Sequence, residues 1–509
     1  MKVKATIDGI LVAGFLIGTH VKAADLYYSA TGSGYYSWDV ASAWMIYGGG
    51  GPVGRLPGTN DEVRINATSP RAEDGHALTV TNGVFAECNT FASGYQNYPG
   101  TAWFRLDGGS LTCRTDFITG QNYPGLATLE SGSLCVGTGF YVGYASGGKG
   151  VVTNTGAAVT AANISMGYVA GSSGRLVHGG GSLNTEGLLN VGRNGGIGAF
   201  EANAPFGVRI MIVGTGLAPN VPGTGTATVV EGAVGTVDEY LRVNNGSLFM
   251  RGGQIHLQNT GNPVRTNLYV RTGEDRCGQI RGWGYVGYTN ENMTLRMINN
   301  GRIVADGEGE ERDLDFNMIA VVNNDIPNGM TGTNGWYAVN KGCLRYPRTW
   351  QTYTPGTVYC WGDLYSKTSP EMVNSVGFGF TASVNCAIRG SLCSPDRSDI
   401  PAGLPARLRP LGVWQIGAFS GKLALTKVSF TGVLLTFRYD HTQVRATDRM
   451  LRLYRYDGSA WVQVGACEPG GDPLISTDAS LAPVASGDYN IGWFAVMAAD
   501  QHGTLISVQ

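Results

Sequence analysis

The chain has 509 residues, with 78 glycines, 15% charged residues and a formal net charge of −2. Glycine at about twice its ordinary usage, with charge well below the usual quarter, disfavours helix interiors and points to β-structure with many turns. So neutral a balance gives no electrostatic basis for binding nucleic acid or an anionic membrane surface.

Residues 1–23 have the layout of a secretory signal peptide. Lys2 and Lys4 give a positive start, Ile10–Ile17 an apolar core, and small residues close the segment at Ala23. The apolar run is shorter than the roughly 20 residues a membrane-spanning helix needs. No later stretch is apolar enough to span a bilayer, so the mature protein is expected to be secreted or at the cell surface, without a transmembrane segment. Residues 24–75, with Trp38, Trp44 and "LPGTNDEVRINA", read as an N-terminal β cap, because the open end of a repeat stack must be covered.

Residues 76–322 repeat themselves. The pentapeptide "QNYPG" occurs at Gln96–Gly100 and again at Gln121–Gly125. "FASG", "FITG", "FYVG", "ISMG" and "LNVG" place a large apolar residue three positions before Gly94, Gly120, Gly143, Gly167 and Gly192, at steps of 26, 23, 24 and 25. A second row, Gly100, Gly125, Gly150, Gly174 and Gly198, runs at steps of 25, 25, 24 and 24. A third row carries Leu111, Leu134, Val159 and Leu183. Three rows sharing one period of about 24 residues define a solenoid.

The LxxLxL pattern of leucine-rich repeats is absent, and propeller blades are nearly twice as long. The fold class that remains is all-β, a parallel β-helix of about 24 residues per coil with three short strands joined at glycine corners. Phe117, Val142, Met166 and Val191 are expected to point inward and stack. Beyond Gly198 the period weakens, but "LRVNNGSLFM" (Leu241–Met250) and "LRMINNGRIVA" (Leu295–Ala305) repeat a strand, an Asn-Asn-Gly turn and a strand.

Residues 323–391 form an aromatic-rich end of the solenoid or an interdomain segment. Residues 392–411, with Pro395, Pro401, Pro405 and Pro410, form a linker or an ordered crossing. Residues 412–509 read as a β-sandwich, with a hairpin signal in "MLRLYRYDGSAWVQVG" (Met450–Gly465). Of the nine cysteines, Cys386 and Cys393 are near enough in sequence to bridge, while Cys113 and Cys135 read as small buried strand residues. No CxxC pair suggests zinc.

Chemistry-bearing residues are sparse. No GxSxG is present, and "GYASGGKG" (Gly143–Gly150) lacks the Ser or Thr that completes a phosphate loop. Glu130, Asn154 and His178 recur at intervals of 24 and would form an outward polar ladder, suited to a sugar or to ordinary corner solvation. "DGEGEERDLD" gathers Asp306, Glu308 and Glu310 into a run that would hold calcium or form a solvated turn. Trp336, Trp350 and Trp361 would either stack on sugar rings or seal the end of the solenoid.

On its period and glycine rows, the stretch from about 75 to 320 resembles the right-handed parallel β-helix of the pectin-lyase-like superfamily, and within it the repeats of autotransporter passengers. The resemblance implies an exported surface protein acting in adhesion, glycan binding or surface structure. It leaves open a polysaccharide lyase or glycoside hydrolase, and a tailspike-like trimeric fibre. The enzymes' motifs do not match: "GHA" at Gly75–Ala77 and "RYPR" at Arg345–Arg348 are the nearest approaches.

Overall fold

The computed structural model describes residues 25–28, 37–46, 52–65, 72–95, 100–215, 222–258, 267–271, 278–288, 296–307, 312–317, 319–320, 336–346, 358–361, 375–380, 387–419, 433–439, 443–467, 474–479 and 491–500. The chain is all-β, and its main body is a parallel β-solenoid of about 8 turns. The signal-like residues 1–23 and the first "QNYPG" up to Pro99 lie outside the described residues.

Register explains the repeat. Phe91, Phe117, Phe140, Ile164, Leu189 and Met211 stand one above the next in successive coils, all fully buried. The column continues through Leu241, Leu268 and Met297, so the stacking survives where the sequence period weakens. Val142, Met166 and Val191 form a neighbouring inward column, as expected. The rings of Phe91 and Phe117 stack at 4.9 Å, and Phe140 meets Phe117 edge-on at 5.2 Å. Each such ring contributes about 1.5–3 kcal/mol by burial.

The coils are not built from three short strands. Pro124–Val142, Lys149–Met166 and Ser173–Val191 are nearly continuous runs, bent where the ladder slips at Asn154/Thr155 and Ala161/Ile164. Bulge-like bends turn the chain while most ladder hydrogen bonds persist. The two glycine rows also differ in cause. First-row residues such as Gly167 (φ 61°) need the left-handed conformation. Second-row Gly174 does not; a Cβ there would lie 1.8 Å from the Val142 carbonyl oxygen and 2.7 Å from Gly167 N. The rows therefore interlock by close backbone approach. Asn244 and Asn300, which follow the row's last glycine at Gly214, do not need positive φ, since Asn194 is the one non-glycine with it among the described residues. In the second of the Asn-Asn-Gly turns, the Asn299 carboxamide oxygen instead accepts from Gly301 N at 3.0 Å.

At the N-terminal end Asp25–Tyr28 pairs antiparallel with Trp44–Ile46 and parallel with Glu62–Ile65. Trp38 and Trp44 are buried there, and Trp38 packs on Phe91 at 6.4 Å. At the other end, Cys343–Arg345 turns the ladder antiparallel by pairing with Ala387–Cys393. Leu408–Phe419, Gly492–Asp500, Asp448–Tyr456 and Trp461–Cys467 extend that sheet. A separate antiparallel sheet joins Val358–Trp361, Ser375–Phe380, Val433–Arg438 and Leu474–Ala479. Phe437 of the second sheet meets Trp414 and Phe494 of the first at 5.1 and 5.3 Å. The expected hairpin is present, its turn closed by the Asp457 carboxylate accepting from Ser459 N and Ala460 N.

Two cysteine expectations change. Cys393 is bonded to Cys343, not to Cys386, which lies outside the described residues. Strand pairing, not sequence proximity, brings the partners together, since Cys343 and Cys393 are opposite each other in the ladder. Cys113 is buried, with its sulfur 3.6 Å from that of Cys88 one coil away, but Cys135 is exposed, because Leu134 and Val136 on either side take the inward positions. The proline-rich stretch is an ordered crossing: Trp461 Nε1 donates to Pro401 O, Lys341 pairs with Asp396, and Arg397 pairs with Asp313.

Candidate functional site

The polar ladder expected at Glu130, Asn154 and His178 does not exist as such. The ladder aligns Asn154 with Leu129 and His178, leaving Glu130 one position off and on the opposite face. Glu130 pairs outward with Arg105 at 2.6 Å. Asn154 and His178 are fully buried, in a column otherwise occupied by residues such as Leu106 and Leu129. Every polar edge there is matched. Asn154 Oδ1 accepts from Ala157 N (2.9 Å), and its Nδ2 donates to Ala157 O (3.0 Å) and to His178 Nδ1 (3.2 Å). His178 Nε2 then donates to Pro205 O at 2.8 Å, which is the pattern of a neutral imidazole. The pair holds the coil corners together and is not accessible to a ligand.

Burial lowers the His178 pKa, against the raising influence of the Pro205 carbonyl. The unfolded chain therefore binds the proton more readily, so the stabilising contribution is full above the unfolded value, about 6.5, and is lost as pH falls towards the folded value. Thermal midpoints should drop between pH 7 and 5, by a slope of at most about 1.4 kcal/mol per pH unit from this proton. His178→Gln should flatten that dependence, leaving the part due to His256, which burial also lowers. An unchanged slope in the variant would exclude His178 as its source.

Asp306 and Asp313, at the described ends of the acidic run, are committed elsewhere. Asp306 accepts from Arg281 Nε at 2.8 Å, at the edge of a shallow depression of about 170 Å³ lined also by Phe249, Met250 and Arg251. Asp313 takes Arg345, Arg397 and the Cys343 backbone N–H, the last at 3.0 Å. Glu308 and Glu310 lie outside the described residues, and no group of three or more His, Cys, Asp or Glu placed to hold a metal occurs among those described. Trp336 begins the strand Trp336–Val339 and Trp361 ends Val358–Trp361; their side chains and the whole of Trp350 lie outside the described residues. Buried Tyr337 and Tyr346, edge-on at 5.0 Å, do occupy this end of the solenoid.

A more coherent outer feature lies on the face bearing Tyr141. The Tyr141 ring lies close against Gly139, where a Cβ would come within 2.2 Å of it. Tyr144 and Tyr168 each follow a first-row glycine, so the corner aims both rings from the same place in successive coils. Their planes are parallel within 7° at 5.2 Å, and both meet Tyr141 steeply at 4.9 and 4.8 Å. The result is a floor ring against a wall of two ring edges, extended by the Arg193 guanidinium 5.0 Å over Tyr168.

Asp116 adjoins the floor, its Oδ1 buried without a hydrogen-bond partner, and burial raises its pKa. Burial, with help from the Asp116 charge, pushes the Tyr141 hydroxyl up to about 12, and burial raises Tyr144 as well. These hydroxyls are therefore proton donors near neutrality. A flat ring with adjacent hydroxyls and a carboxylate suits a sugar, which offers a C–H face and hydroxyl edges. The glycine-tyrosine doublets "GY" at Gly143–Tyr144 and Gly167–Tyr168 were a visible signal for the wall. The floor was not visible, because Tyr141 becomes one only once Gly139 lies beneath it.

Fold and surface together define an all-β protein built on a parallel β-solenoid, with an aromatic outer face. Comparison with protein-family models, with curated proteins and with solved structures finds no match. Of the resemblance drawn from the sequence, the parallel solenoid is the part that stands.

Proposed function

We propose that this chain is an exported surface or extracellular solenoid that binds glycans, in adhesion or surface architecture. The observation that supports the reading is the tyrosine floor and wall at Tyr141, Tyr144 and Tyr168. The signal-like layout of residues 1–23 is the basis for export, and the pectin-lyase-like, autotransporter-type affiliation belongs to the same proposal.

The test is retention of the mature protein on a panel of immobilised polysaccharides, with reducing ends and unsaturated products followed in parallel. Retention without products is expected. Tyr141→Ala and Tyr168→Ala should each weaken binding about tenfold, or about 1.4 kcal/mol. Gly139→Ala, which displaces the floor ring without removing it, should do the same. Product formation would replace the binding reading with a lyase or hydrolase, and full retention by all three variants would remove this face from the account.

A further inference from the structure

The ladder position of Tyr141 passes through Ser165 and Asn190, both buried, and Ile212 to Arg242 and then Tyr269. Four coils, or about 19 Å at the usual strand spacing, separate the tyrosine floor from this second cluster. The Arg242 guanidinium lies 5.1 Å over Tyr240 and 5.2 Å over Tyr269, and that of Arg271 lies 4.7 Å over Tyr269. Two cations thus share one aromatic ring, both half-buried.

Elsewhere on the rod, four arginines are matched by carboxylates on a neighbouring coil: Arg105 by Glu130, Arg175 by Glu201, Arg209 by Glu239, Arg281 by Asp306. Among the described residues no ion pair is formed by Arg242 or Arg271, and Arg242 Nε is buried without a hydrogen-bond partner. Burial and the neighbouring Arg242 charge both lower the Arg271 pKa, so bringing the two together is unfavourable in the unliganded protein. An oxyanion between them would reverse that repulsion, and planar guanidinium forks are well shaped to hold one.

We propose that Arg242 and Arg271 form an oxyanion subsite, taking a carboxylate or sulfate group of an acidic glycan laid along this face. The inference rests on the glycan-binding reading and adds charge selectivity to it. The tyrosine rings supply contact common to any sugar, whereas the guanidinium pair selects chains carrying negative groups.

Affinity electrophoresis with dextran, dextran sulfate and alginate tests it, since these are neutral, sulfated and carboxylated. The wild type should bind at least one acidic polymer tenfold or more tighter than dextran, with the preference reduced by added salt. Arg242→Gln and Arg271→Gln should each bring that affinity down to the dextran level, and Arg271→Lys should keep part of it. Arg302→Gln, an exposed arginine on another face, should leave it intact. Preference for sulfated over carboxylated polymer, or the reverse, identifies the group held. Acidic-polymer binding unchanged in both glutamine variants, with circular dichroism showing the fold preserved, would overturn the subsite. Equal binding of neutral and acidic polymers would overturn it while sparing the glycan reading. Absence of binding to all three would overturn both.

Discussion

Gly174→Ala should destabilise the solenoid by roughly 3–5 kcal/mol, while Gly179→Ala, five residues further along the same coil, should change stability by less than about 1 kcal/mol. The substitutions are chemically identical, so the contrast isolates backbone approach. A Cβ at Gly174 falls 1.8 Å from Val142 O, which accepts from Gly167 N at 2.8 Å and cannot move without breaking that bond. At Gly179 the nearest atom, Asn154 O, would be 3.6 Å away, an ordinary contact. Neither residue has the positive φ that would penalise alanine for conformational reasons. Denaturant unfolding followed by circular dichroism reads both. Comparable midpoints for the two variants would mean that the second glycine row is not held by coil-to-coil approach.

Breaking the Cys343–Cys393 disulfide should cost about 4 kcal/mol, the chain-entropy value for a loop of this size. The bridge spans a sequence separation of 50 and ties the last parallel coil to the first antiparallel strand pair. Asp313, held by Arg345, Arg397 and the Cys343 amide, reinforces the same junction. Its loss should therefore be local. In the Cys343→Ser, Cys393→Ser double variant, limited proteolysis should open the antiparallel region first, at a protease concentration that leaves the solenoid whole. Simultaneous loss of both regions would show that the junction governs the entire molecule, and an unchanged midpoint would show that the bridge adds nothing to stability.

The solenoid was legible in the sequence because its main constraint falls on glycine, which no other residue replaces where one coil's backbone touches the next. Inward residues were legible for the same reason: Phe117 and Val142 are fixed by distance from Gly120 and Gly143. Register was less accessible. Counting 24 from Asn154 back to Glu130 ignores the coil in which the step is 25, and one residue is enough to exchange a core side chain for a surface one. Glycine steps from Gly125 to Gly150 contained that correction. The disulfide and the Asp313 clasp could not be read, because each depends on a strand returning to the ladder from far along the chain. The tyrosine floor and the paired guanidiniums depend on relations between coils, where sequence distance conveys nothing about which ring lies across which backbone.

The direction of the ladder has a mechanical consequence. Coil-to-coil hydrogen bonds lie along the long axis, so a pull applied between the two ends loads the turns in series, and the weakest turn sets the yield force. Such a spring opens from an end rather than from its middle, because an end turn has a neighbour on one side only. Both ends carry extra fastening: Trp38 and Trp44 over the first rings, and the Cys343–Cys393 bridge with the Asp313 clasp at the last. Under tension the tyrosine-bearing turns in between would stay wound until one of those fastenings gave way.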